Sequence, residues 1–166
     1  MPTAKAMKER PNIVEIIGAP CDLGCNQRGA NVGPAMIRVA GLADRLEELS
    51  IRAIDGGDVP VPLRERLGKA SPQNRGLYVA TIGQICDELF ARVQASLRAG
   101  RFPLVLGGDH AIAIGSIKGT ADYCATRGAQ LGLLWVDAHA DMNTPATSVS
   151  GNIHGMPLST VLGLGF

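Results

Sequence analysis

Two uninterrupted apolar runs constrain this chain most: Phe102–Leu106 (FPLVL) and Leu131–Val136 (LGLLWV). A strand with one wet face alternates apolar and polar residues. A run that does not alternate is apolar on both faces, as in a parallel sheet covered by helices. Helical stripes lie around these runs. Ile82, Ile85, Leu89, Val93 and Leu97 recur at spacings of three and four, and Gly100 stops the pattern. Met36, Val39, Ala43, Leu46 and Leu49 do the same behind Pro34, a residue suited to a first helical turn. Asn12–Gly18 (NIVEIIG) predicts a first strand, Ile51–Ile54 a short second one, and Ala111–Thr126 a further helix. Asp58–Gly76 holds three prolines and reads as an excursion or loop. Strand and helix alternate, so the expected fold class is α/β with a mainly parallel sheet. The 166 residues suffice for one domain with its own core, taken as 1–166.

Composition narrows the partners. A formal charge of +1 gives no basic surface for nucleic acid, and one Trp, two Tyr and three Phe make no base-stacking platform. No apolar run approaches the ~20 residues that cross a bilayer. Met1–Arg10 lacks the apolar stretch of a signal peptide, and a cytoplasmic protein is expected. In that compartment Cys21, Cys25, Cys86 and Cys124 are expected as thiols, mostly buried. Cys21 and Cys25 have no further ligands at a spacing that would make a zinc site.

Ligands bind beyond the carboxyl ends of strands in open α/β sheets. One apolar run leads into Gly107-Gly108-Asp109-His110, the other into Asp137-Ala138-His139-Ala140-Asp141. In extended backbone, residues 137, 139 and 141 share a face. Buried carboxylates without partners are costly, and a divalent cation removes the cost. With His110 the donors are oxygen and nitrogen without thiolate, which suits manganese, zinc or iron. Gly107 and Gly108 leave room for close packing. Asp109 reads either as an acceptor orienting a ligand or as a helix N-cap. The polar stretch Met142–Pro157 offers Asn143, Ser148, Ser150 and Asn152 as donors to an anion such as a carboxylate, although composition alone describes a solvated loop. His154, next to a metal crevice, has a side chain suited to proton transfer.

GGDHAIAIGSIKG, DAHADMNTP and SGNIHGMP, in that order, resemble the arginase branch of the ureohydrolase family, and CNQRGANVGPAMIR resembles its first loop and helix. The resemblance runs from about Asn12 to Leu162. It implies a three-layer α/β/α fold and a binuclear Mn2+ centre that generates hydroxide from a bridging water. It implies that His110, Asp137 and Asp141 hold one metal, and that His139 holds the other with Asp137 bridging. Asn143, Ser150 and Asn152 would hold the α-carboxylate of L-arginine, with Ser148 a further candidate, and His154 would shuttle the proton. The products would be L-ornithine and urea. Agmatine has no α-carboxylate, so Ser150-Gly151-Asn152 favours arginine over agmatine.

The family pattern also contains a later Asp-x-Asp pair that completes both metal sites. This sequence has no acidic residue after Asp141. A partial ureohydrolase domain is therefore expected, with weak or single-metal binding, low activity and a tendency to self-associate as a homo-oligomer. The alternatives are an inactive remnant that binds metal or a partner, and a ureohydrolase for another guanidino substrate such as agmatine.

Overall fold

A computed structural model describes residues 12–68 and 76–165. Met1–Arg10 and part of the proline-bearing excursion lie outside the described residues. The elements in chain order are β1 (Ile13–Ala19), α1 (Gly33–Val39), α2 (Leu42–Glu48), β2 (Arg52–Asp58), α3 (Arg64–Leu67), α4 (Gly76–Arg98), β3 (Phe102–Gly107), α5 (Ala113–Ala125) and α6 (Pro157–Val161). The sheet has the order β2-β1-β3, and β1 pairs in parallel with both neighbours.

The alternating faces of β1 explain its apolar sequence. Val14 and Ile16 pack with Leu106 and with Leu42 and Leu46 of α2 on one side. Ile17 and Ala19 join Ile82, Ile85, Leu89 and Val93 of α4 on the other. Helices therefore cover both faces, and burying each large aliphatic side chain is worth about 1.5–3 kcal/mol. α4 follows its expected stripe, and Gly100 ends it in the left-handed region at φ 73°. α5 packs closely along α4. A Cβ on Gly115 would lie 2.4 Å from the carbonyl oxygen of Cys86, so only glycine permits that approach.

Four sequence expectations are corrected. The stripe Met36–Leu49 is not one helix. Gly41 takes φ 86° and separates α1 from α2, and Met36, Val39 and Leu49 are exposed. Leu46 of the stripe does pack, together with Leu42, which the stripe left out. The second strand runs on past Ile54 to Asp58, and α3 interrupts the excursion. The helix expected from Ala111 starts with a tight 3-10 turn at His110–Ile112 before α5. Most important, Leu131–Val136 is not a strand: it has no ladder partner, and Leu133, Leu134 and Val136 are exposed. An apolar run becomes a strand only where another strand lies beside it, and β3 has none on its outer side among the described residues.

Candidate metal and substrate site

β1 and β3 are parallel neighbours, so their carboxyl ends open at the same edge of the sheet. Backbone contact locks the two ends together. The amide of Gly108 donates to Ala19 O, and that of Asp109 donates to Cys21 O at 2.8 Å. A Cβ on Gly108 would lie 2.2 Å from Cys21 O. Gly108 is thus required by close approach of backbone to backbone, whereas a Cβ on Gly107 would meet the Ile112 side chain at 2.8 Å. Asp109 turns inward and is buried. Its carboxylate accepts from Ala111 N (2.9 Å) as the cap of the 3-10 turn, and from Gly24 N (2.7 Å) in the loop after β1. Burial pushes its pKa up, while these two donors and the nearby His154 pull it down.

The capped turn presents His110. Its Nδ1 lies 2.7 Å from Asp141 Oδ2 and 3.1 Å from Asp137 Oδ2. One ligand atom from each of these three residues lies within 4.8 Å of the others. Two carboxylates converging on one imidazole nitrogen repel each other unless positive charge sits between them. The donor set of two oxygens and one nitrogen fits a divalent cation of the manganese or zinc type, which would displace any proton from the ring nitrogen. His110 also meets the edge of Trp135, ring centroids 5.9 Å apart.

The way the cluster forms differs from the extended-strand expectation. Residues 137–139 bend, and Asp141 has φ 47°. The bend turns the backbone N–H of His139 onto Asp137 Oδ1 at 2.9 Å. That hydrogen bond, with His110 beside it, holds the Asp137 carboxyl below its ordinary range. The His139 ring is exposed, 3.6 Å from Asp137 Oδ1 and outside the three-residue cluster. Asp137 therefore stands between His110 and His139, while the two imidazoles do not share one centre.

His110, His139 and Asp141 line an open cavity of about 850 Å³. Asn143, Ser148, Ser150 and Asn152 line it too, as does His154. The polar loop is held by its own backbone. Ser148 Oγ accepts from Gly151 N and Ser150 Oγ from Asn152 N, which leaves each hydroxyl hydrogen to donate outward. The buried Ser159 of α6 donates to Asn143 O and Met156 O, and Leu158 N donates to Asp141 O. His154 is fixed twice by one carbonyl. Its backbone N–H and its ring Nδ1 both reach Gly24 O, at 3.1 and 2.9 Å.

Comparison with known proteins fits this geometry. The sequence profile of the arginase family matches residues 12–165. The chain belongs to the arginase family. It is 45% identical over 152 residues to the arginase of Bacillus caldovelox and 43% identical to that of Bacillus subtilis, covering 92% of this chain and 49% of each relative. The solved arginase of Bacillus caldovelox superposes with a TM-score of 0.80 at 44% identity, over 92% of this chain and 50% of that one. An arginase from Entamoeba histolytica, solved in complex with L-ornithine, gives 0.75 at 30% identity, over 93% and 50%. The chain spans about half the length of the curated relatives it matches. These matches establish the α/β ureohydrolase-like fold, here a three-stranded parallel sheet with its helices. No helix among the described residues is long and apolar enough to cross a membrane.

Two residues of this arginase-family site escaped the reading of the sequence. Gly24 contacts Asp109 and His154, and Ser159 ties α6 to Asn143. Neither carries a sequence signal, because a loop glycine and a helical serine are common and their partners are far away in the chain.

Proposed function

We propose that this chain carries the metal and carboxylate half of a manganese-dependent site that hydrolyses L-arginine to L-ornithine and urea. One observation carries the reading: the His110, Asp137 and Asp141 donors converge on one another, and His110 and Asp141 line a cavity also lined by Asn143, Ser150, Asn152 and His154. His110, Asp137 and Asp141 would hold one Mn2+, with His139 toward a second and Asp137 between them. The metal supplies Lewis acidity that brings the pKa of a water near neutrality. Asn143, Ser150 and Asn152 present neutral donors to the α-carboxylate, and the L-ornithine held by the Entamoeba relative carries that same group. His154 delivers a proton to the departing amine. A carbonyl oxygen can only accept, so Gly24 O places the ring proton on Nδ1 and leaves Nε2 as the nitrogen that gains and loses one.

The test is calorimetric Mn2+ binding together with urea release, on the chain and on His110→Ala. Mn2+ binding that His110→Ala abolishes is expected, and urea release from arginine but not agmatine would support the full reaction. Equal Mn2+ binding by both proteins would overturn the assignment of the metal site. Equal turnover of agmatine would overturn the carboxylate assignment and favour another guanidino substrate. Metal binding without turnover would leave this chain a metal-binding part of such a site.

A further inference from the structure

Asp109 does more than cap its turn. The N-cap bond to Ala111 N uses one carboxylate oxygen, and the other accepts from Gly24 N across 85 residues of sequence. The approach is close: a Cβ on Gly24 would lie 2.6 Å from Asp109 Oδ1 and 2.9 Å from Ala111 Cβ. Gly24 is therefore pressed against the carboxylate on one side. On its other side, Gly24 O accepts both the backbone N–H and the ring Nδ1 of His154. The N–H and C=O of Gly24 flank a single Cα, so pinning one restricts the other. Hydrogen bonds to a buried carboxylate are stronger than neutral ones, which makes Asp109 the firm end of this chain of contacts.

We propose that Asp109 is a positioning residue for His154, acting through Gly24 to fix the ring with its proton on Nδ1. The proposal rests on the reading of His154 as the proton donor to the departing amine. A donor must keep one nitrogen for exchange, and a ring free to flip or change tautomer spends only part of its time in that form. The residue that precedes His110 in sequence would thus govern the proton-carrying residue, apart from the metal donors.

The experiment is ring-nitrogen NMR of the 15N-labelled chain, with the His154 signals assigned by their loss in His154→Gln. The wild-type ring should be the Nδ1–H tautomer. Asp109→Asn sets an amide NH2 against one of the two backbone N–H groups, and Gly24→Ala forces the loop off Asp109. Either variant should give a mixture with the Nε2–H tautomer, while amide dispersion and calorimetric Mn2+ binding persist. An Nε2–H ring in the wild type overturns the proposal. So does an unchanged Nδ1–H ring in either variant once its amide spectrum shows it folded. Loss of amide dispersion and metal binding together with the tautomer, in both variants, also overturns it, because Asp109 would then be holding the whole site rather than the ring. The proton-donor reading fails separately: a His154→Gln chain that releases urea at the wild-type rate would sink it and leave the tautomer result standing.

Discussion

Gly108→Ala tests whether the two strand ends are held as closely as the site requires. The new Cβ would lie 2.2 Å from Cys21 O, 2.6 Å from Cys21 N and 2.7 Å from Ala19 O. All three are backbone atoms of the segment leaving β1, so no side chain can rotate away. Overpacking of this kind costs about 1–3 kcal/mol. Relief requires moving residue 108 off that segment, which weakens the bonds from Gly108 N to Ala19 O and from Asp109 N to Cys21 O. Each such bond contributes about 0.5–1.5 kcal/mol net. The total loss is about 2–6 kcal/mol, a large part of the roughly 5–15 kcal/mol that holds a domain together. Urea unfolding followed by circular dichroism should show a lower midpoint with an unchanged slope. Mn2+ binding should weaken in parallel, since the shift moves His110. A variant with the wild-type midpoint and wild-type Mn2+ affinity would refute the close-packing argument.

Three further outcomes are expected. Ser159→Ala removes the hydroxyl that donates to Asn143 O and Met156 O from a fully buried position; a loss of about 1–3 kcal/mol should appear in urea unfolding, and unchanged stability would show that these carbonyls find other donors. The Asp55 carboxyl is held below its ordinary 3.8 chiefly by its hydrogen bond from Arg38, so its stabilising effect is present above that value and lost as pH falls through the lower folded-state pKa. Asp55 is half exposed, so Asp55→Asn should cost less than about 1 kcal/mol near neutral pH. Thermal melts should show that difference vanishing in strong acid, and a difference that grows with acidity would reverse the sign. Burial pushes the Cys21 thiol up to about 12 and the Cys86 thiol up to about 11. Iodoacetamide at mildly alkaline pH should therefore alkylate the partly exposed Cys124 well before either. Equal rates in the folded protein, read by mass spectrometry, would contradict their burial.

Much of the fold was legible because it is written in short-range pattern. Asn12–Gly18 is apolar at both parities and becomes the strand with helices on both faces. Ile82, Ile85, Leu89 and Val93 mark the face of α4 that meets the core. The pattern failed where a single residue or an absent neighbour decides. Gly41 splits a stripe that looks continuous, and Leu131–Val136 has the composition of a buried strand without a strand beside it. His110, Asp137 and Asp141 were recognisable as donors from their types and from the apolar runs before them. Their grouping arises from a bend and a positive φ at Asp141, not from the extended alternation that suggested it.

The sequence by itself determined which residues can do chemistry, the alternation of elements and the family, since these depend on residue identity and spacing along the chain. Only the tertiary structure decided how those residues are held. It closed β3 against β1 over a missing Cβ at Gly108, and it added to the Asp109 cap a link with Gly24. It also set His154 against the carbonyl of a residue 130 positions earlier. Contacts across such separations carry no periodicity, and the loop closures that create them are decided by the packing of the whole core.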